Sequence, residues 1–225
     1  MVAEEGYARG RLRARLSGTD GEAPVGLRPL EAGGYLYVPA GYGAGRPAPL
    51  VLLLHGAGED ARDGLALLRG QADGAGLILL ALSSRGPTWD LILGRGRYGH
   101  DVAAIDEALD HTFSYYAVDL ERVAVGGYSD GASYAISLGI SNGDLFGHVL
   151  AFSPGFMAPA GRVGSPRFFV SHGTRDRWLP IDRTSRRLVP ELEGAGYEVS
   201  YREFDGPHVV PPGIAQEAVD WFAGP

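Results

Sequence analysis

A chain of 225 residues with 45% apolar side chains can fill one α/β core, so a single domain over residues 1–225 is expected. Twenty Lys and Arg against 27 Asp and Glu leave a net charge of −7, which argues against nucleic acid as a partner. The lack of cysteine excludes disulfides, thiolate metal sites and a thiol nucleophile, and the longest apolar runs, Leu50 to Leu54 and Leu77 to Leu82, are too short for a membrane span. With no signal-like apolar segment at its start, the chain is expected to be soluble and cytoplasmic unless a signal has been removed.

Arg9, Arg11, Arg13 and Arg15 alternate with small and apolar residues from Ala8 to Leu16, the period-2 pattern of an edge strand with a basic, solvated face. Residues 1–34 are read as this strand and a loop, turn-rich from Thr19 to Pro29, lying outside the motif-bearing core. Gly34 to Pro39 is a second strand, stopped by proline, and Gly41 to Pro49 a loop. Pro49 to Leu54 is continuously apolar, as expected of a strand covered on both faces of a parallel sheet. It delivers His55-Gly56-Ala57-Gly58, where glycine-freed backbone makes the Ala57 N–H a candidate oxyanion donor and His55 is read as orienting the loop.

Asp60 to Gly74 has weak helical periodicity, broken by Gly64 and Gly70, and Gly76 to Leu82 is another buried strand. Ser83 to Gly99 is a long loop, a length that in compact domains usually carries function, and Trp89 within it is read as part of a substrate-pocket wall. Gly94 to Gly99 matches G-x-G-x-x-G, with Asp119 in the spacing of a ribose-binding acid. A dinucleotide fingerprint needs a strand running into its glycines, and only Leu91 to Leu93 precede these, so no nucleotide is expected. His100 to Phe113 is a crossover helix with Val102, Ile105, Ala108, Leu109 and Phe113 on one face. Its acids Asp101, Asp106, Glu107 and Asp110 lack metal-binding spacing and are read as a solvated face, so no metal is expected.

The stretch Arg122 to Gly139 is the most informative. A β-branched run, Val123 to Val125, stops at paired glycines, and a helical pattern of small and apolar residues begins at Ala132. Between them Gly127-Tyr128-Ser129-Asp130-Gly131 fits G-x-S-x-G, a turn that holds its serine in a strained conformation over the end of the sheet. The N–H of Asp130 opens the following helix, where unpaired donors and the helix dipole favour an oxyanion. Val149 to Ser153 is the next strand, followed by a short loop to Ser165 with no room for a cap domain; Phe156 and Met157 there either pack or line an acyl pocket.

Arg167 to Ser171 is a strand leading into His172-Gly-Thr-Arg-Asp176, which puts the Asp176 carboxylate at the same end of the sheet as Ser129. Asp182 and Asp205 are rivals for an orienting acid, but Asp182 is read as starting the helix Arg183 to Ala195 and Asp205 as ending the strand Glu198 to Phe204. Asp205-Gly-Pro-His208 follows, and Pro211-Pro212 open a last helix, Ile214 to Phe222. Of six histidines, His208 alone combines a place after a strand with the chain order Ser, Asp, His.

The ordered set strand-HGAG, strand-GYSDG-helix, strand-HGTRD and strand-DGPH, spanning roughly Leu50 to Phe222, resembles the α/β-hydrolase fold. It is most similar to the small phospholipase/carboxylesterase and dienelactone-hydrolase-like group. The resemblance implies a mostly parallel eight-stranded sheet with helices on both faces and no large cap. It also implies Ser129 as nucleophile, His208 as base, Asp176 as its orienter and no cofactor. Dienelactone hydrolases carry a cysteine where this chain has Ser129, which favours serine ester chemistry over lactone hydrolysis. Hydrolysis of small carboxylic esters through an acyl-enzyme is therefore expected, with Tyr128, Trp89, Phe156 and Trp178 around the substrate. A serine peptidase or thioesterase, and a ligand-binding protein that kept the fold, are the alternatives. Acyl and alcohol groups and oligomeric state are not legible in the sequence.

Overall fold

Aliphatic runs set the middle of the sheet. In the computed structural model, which describes residues 6–15, 23–94 and 96–224, β3 (Ala48–Leu54) and β4 (Ile78–Leu82) are buried along their whole length. β5 (Val118–Tyr128), β6 (His148–Phe152), β7 (Arg167–Gly173) and β8 (Val199–Phe204) continue the parallel part, and β1 (Gly26–Leu30) with β2 (Gly34–Val38) forms an antiparallel hairpin against β4. The strand order is β1-β2-β4-β3-β5-β6-β7-β8.

Alternation along the strands divides the core in two. Leu50, Leu52 and Leu54 of β3 face the layer of α4 (His100–Tyr115), α5 (Asp130–Ser141) and α6 (Ser185–Gly194). Val51 and Leu53 face α1 (Ala61–Ala66), α2 (Arg69–Ala75) and α7 (Pro212–Ala223). The short α3 (Asp90–Leu93) lies in the loop after β4. Local chemistry sets several ends: Asp60 and Asp63 form a capping box on α1, Gly76 closes α2 in a left-handed conformation, and Pro212 opens α7.

Three expectations are corrected. Residues 11–15 are not an edge strand; they form an extended strap over the α4 and α5 layer, and Leu16 lies outside the described residues. The alternation is real, since Leu12 and Ala14 are buried, but the N–H groups of Leu12, Arg13 and Ala14 bond to side chains and that of Arg11 to Gly6 O. Leu12 N–H donates to Asn142 Oδ1 at 2.9 Å, and the N–H groups of Arg13 and Ala14 both donate to Asp106 Oδ1 at 2.7 Å. Nor is the basic face free, because Arg11 and Arg15 both reach Asp144, at 2.9 and 2.6 Å.

The acids of α4 are also not all solvated. Asp106 is buried under the strap, and Asp101 is buried while accepting from the N–H groups of Arg85 and Asp90. Lastly, the segment from Thr19 to Pro29, read as turn-rich, runs into β1, whose exposed face and internal proline hide it; an edge strand tolerates proline because one side of it needs no donor. The G-x-G-x-x-G stretch follows α3 rather than a strand. No helix among the described residues is long and apolar enough to cross a membrane.

Candidate active site

β5 runs into Ser129, which has φ 56° and ψ −117°, a region that non-glycine residues occupy only when the surroundings enforce it. The flanking glycines allow the enforcement. A Cβ on Gly127 would stand 2.5 Å from the Gly131 carbonyl carbon and 2.7 Å from Leu54 O, and one on Gly131 would collide with the Leu54 carbonyl. The Ser129 N–H donates to Phe152 O on β6 at 2.9 Å, tying the turn to the sheet.

Serines recur every fourth residue through α5, a pattern not singled out in the sequence. Ser137 Oγ donates to Ser133 O at 2.7 Å and Ser141 Oγ to Ser137 O at 3.0 Å. These hydroxyls also accept from the loop after β6: Ser133 Oγ from the Gly155 N–H at 2.9 Å, and Ser137 Oγ from the Ala158 N–H at 2.9 Å. Because i and i+4 share one helix face, four serines form one ladder that fastens that loop to the helix carrying Ser129. Phe156 lies half-buried on this loop.

Leu54 is in register with Gly127, so the His55 to Gly58 loop and the Ser129 turn leave neighbouring strands at one level. His55 organises its loop: Nδ1–H donates to Gly56 O at 2.7 Å, and Nε2 accepts from the Ser84 N–H at 2.9 Å. The carbonyl can only accept and the amide can only donate, which sets this neutral tautomer. Glu59 Oε2 takes the Gly56 N–H at 2.8 Å, and Ala57 is exposed at the tip. The N–H groups of Ala132 and Ser133 donate to Ser129 O at 3.1 Å, while Asp130 begins α5 and its N–H, at the very start of the helix, has no acceptor within it. Its carboxylate accepts from Thr88 Oγ1 at 2.7 Å.

Trp89 does not line an open pocket. It is 1% exposed, donates from Nε1 to His55 O at 2.9 Å, and packs its ring between His55 and Tyr134. An amphipathic ring among glycines and arginines gives the same sequence signal whether it anchors a loop from beneath or walls a cleft.

At the carboxyl ends of β7 and β8 the structure brings Asp176 and His208 to Ser129. His208 Nε2 lies 2.9 Å from Ser129 Oγ, and His208 Nδ1 bonds Asp176 Oδ2. The other carboxylate oxygen accepts from the N–H groups of Trp178 and Leu179, both at 2.9 Å. Burial alone would raise the Asp176 pKa; the N–H of Leu179, then His208 and the N–H of Trp178, outweigh it and hold the carboxyl below its ordinary value. The two rivals stand apart: Asp205 is 81% exposed and paired with Arg175, and Asp182 is 77% exposed and paired with Arg186.

Tyr128 holds His208 in place. Its hydroxyl donates to His208 O at 2.7 Å and its ring packs against the imidazole at 4.8 Å between centroids. Burial, followed by the charges of Glu59 and Asp176, pushes the Tyr128 hydroxyl well above its ordinary pKa, so it stays a donor. Two cavities lie here, one against Tyr128 and one against His208. One of about 520 Å³ lies between Tyr128, Glu59, Asp63, Val209 and Val210. The other, about 470 Å³, is lined by His208, Arg175, Arg177, Val209 and Trp178, a residue 83% exposed.

Sequence reasoning missed His172 and Ser185. Both are fully buried, and His172 makes a second side-chain contact to Asp176 Oδ2, at 3.1 Å. The available signal was a histidine four residues before the acid, at the last turn of a buried strand.

No protein-family model matches the sequence, and no curated protein matches it. Solved structures do resemble it in shape. Esterase PE8 superimposes with a TM-score of 0.68 at 22% identity, over 88% of this chain and 98% of that one. A carboxylesterase from Mesorhizobium loti gives 0.66 at 22% identity, over 88% and 99%. An S-formylglutathione hydrolase from Staphylococcus aureus gives 0.67 at 15% identity, over 91% and 100%. These likenesses show the fold: the chain has the α/β-hydrolase fold, with an eight-stranded, mostly parallel sheet and helices on both faces.

Proposed function

We propose that this chain is a serine hydrolase of small carboxylic esters, with Ser129, His208 and Asp176 as its catalytic triad. The observation that carries the proposal is the continuous line of hydrogen bonds from Asp176 through both nitrogens of His208 to a serine held at positive φ. A ligand-binding protein would gain nothing from a base seated on a strained serine. Similar folds among esterases and an S-formylglutathione hydrolase support the same reaction class, with thioesters as its nearest variant.

The chemistry follows from the geometry. Asp176 accepts from Nδ1–H and so leaves Nε2 of His208 as a lone pair facing Ser129 Oγ–H. As Oγ bonds to the acyl carbon, its proton passes to Nε2, and the carbonyl oxygen gains charge beside the N–H groups of Ala57 and Asp130. Each such donor is worth about 3 kcal/mol, or on the order of a hundredfold in rate. The intermediate collapses as the C–O bond breaks and the imidazolium returns its proton to the departing alcohol. Water then repeats the cycle against the acyl-enzyme.

The chain between β6 and β7 is short and pinned by the serine ladder, so the mouth of the site carries no inserted cap there. Short, soluble esters are thus the proposed substrates, with Tyr128, Phe156 and Trp178 nearest the mouth. A panel of acetyl to decanoyl esters, matched thioesters and peptide amides tests this. The expected order is short ester first and amide last; turnover of amides alone would contradict the reading.

A further inference from the structure

We propose that His172, backed by Ser185, is a positioning residue for the base: its Nε2–H keeps the Asp176 carboxylate aimed at His208. The inference rests on the serine-hydrolase reading of the site. Its foundation is which atom can carry each proton.

His172 Nε2 lies 2.8 Å from Leu179 O and 3.1 Å from Asp176 Oδ2. A carbonyl and a carboxylate only accept, so Nε2 carries a proton shared between them. Nδ1 lies 2.6 Å from Ser185 Oγ. Burial, the largest influence on this imidazole, lowers its pKa and keeps the ring neutral, so Nδ1 is a lone pair and the Ser185 hydroxyl must donate to it. Ser185 sits in the first turn of α6, yet no side-chain capping bond is made at that helix end; its hydroxyl turns to the histidine. The result is one directed line, Ser185 Oγ–H to His172 Nδ1, then His172 Nε2–H to Asp176 Oδ2.

That line ends on the same carboxylate oxygen that receives His208 Nδ1. With the N–H groups of Trp178 and Leu179 on Oδ1, the carboxylate has a donor on each side and cannot rotate away. A neutral donor also stabilises the carboxylate without cancelling its charge, which a cation would do. The full charge therefore remains to hold the imidazolium formed on His208. A further ionisable group beside His172 is Glu203, in register with it on β8 and paired at 2.6 Å with Arg186, which also holds Asp182.

A merely structural histidine and a positioning one separate in two variants and one measurement. His172→Phe keeps ring volume and removes the donor; His172→Gln restores an N–H donor near the Nε2 position. With a short ester, His172→Phe is expected to lower kcat about tenfold or more with KM within about twofold. It should also move the acid limb of kcat/KM to higher pH, because Asp176 Oδ2, freed of one donor, binds the His208 proton more strongly. His172→Gln should recover both. A folded His172→Phe protein with the wild-type kcat and limb overturns the inference. Nitrogen-15 histidine spectra of the wild-type protein test it where the variant does not fold. At neutral pH His172 should be neutral with its proton on Nε2, and a charged or Nδ1–H ring there overturns it. The spectra need no activity, and loss of the esterase reading would show separately as a wild-type protein that hydrolyses no ester.

Discussion

His208 Nε2 meets Ser129 Oγ at 2.9 Å although 79 residues separate them along the chain. The contact joins the ends of β5 and β8, which lie three strands apart, so it depends on β6 and β7 holding register between them. Neither partner adapts freely. Ser129 is strained and pinned to Phe152, and His208 is clasped by Tyr128 on one side and Asp176 on the other.

Ser129→Ala is expected to abolish nearly all ester hydrolysis while leaving the fold intact, because only the hydroxyl can form the covalent bond. The fold should not suffer, since no backbone bond in the turn uses Oγ. Retention of more than about a tenth of wild-type kcat, with unchanged circular dichroism, would contradict the role of this residue.

Asp176→Asn should lower kcat by about a thousandfold or more with little change in KM, since an amide neither enforces the tautomer nor stabilises the imidazolium. Asp205→Asn should cost under about tenfold, because its carboxylate lies out at Arg175 and is 81% exposed. Steady-state kinetics of both variants decide between the two acids, and the reverse ranking would make Asp205 the orienter.

The acid also links activity to stability. The folded pKa of Asp176 is depressed, so its contribution is present above the unfolded value of about 3.9 and is lost as pH falls through the folded value. Urea midpoints of the wild-type protein should therefore fall between about pH 5 and 3 more steeply than those of Asp176→Asn. Parallel curves would show that the carboxylate is not stabilised in the folded state.

Asn142 is expected to matter for stability and not for turnover. Its amide accepts from the Leu12 N–H at 2.9 Å and donates to Gly10 O at 2.7 Å and Leu138 O at 2.9 Å, all in buried surroundings. Asn142→Ala leaves strap groups unpaired and should cost about 3 kcal/mol, or roughly 6–12 °C in Tm for a chain of this size. Calorimetry checks the shift, and kcat of the folded variant below its melting range should match wild type. A drop in kcat with no change in Tm would contradict this division.

What could be read from residues alone follows a physical divide. Apolar runs such as Leu50 to Leu54 and glycines crowded by backbone, such as Gly127 and Gly131, carry their reasons locally, so strands and the Ser129 turn were legible. So was the placement of Asp176 and His208, because each lies on the loop that follows a strand of recognisable pattern. The strap was not legible as a strap: a period-2 alternation shows that one side is buried but not whether its N–H groups meet a strand or the side chains of Asn142 and Asp106. Burial of Asp101 and Trp89 likewise depends on partners distant in sequence, and His172 draws its proton position from Leu179 and Ser185 together.

Covalent labelling addresses the central claim most directly. A fluorophosphonate reacts with a serine only where a base removes the hydroxyl proton and donors receive the phosphoryl oxygen, so it reads nucleophile, base and oxyanion donors at once. Mass spectrometry of the treated wild-type protein is expected to show a single adduct, mapped to the peptide containing Ser129, and none in Ser129→Ala or after prior denaturation. A wild-type protein that stays unlabelled, or one labelled equally in Ser129→Ala, would contradict the account.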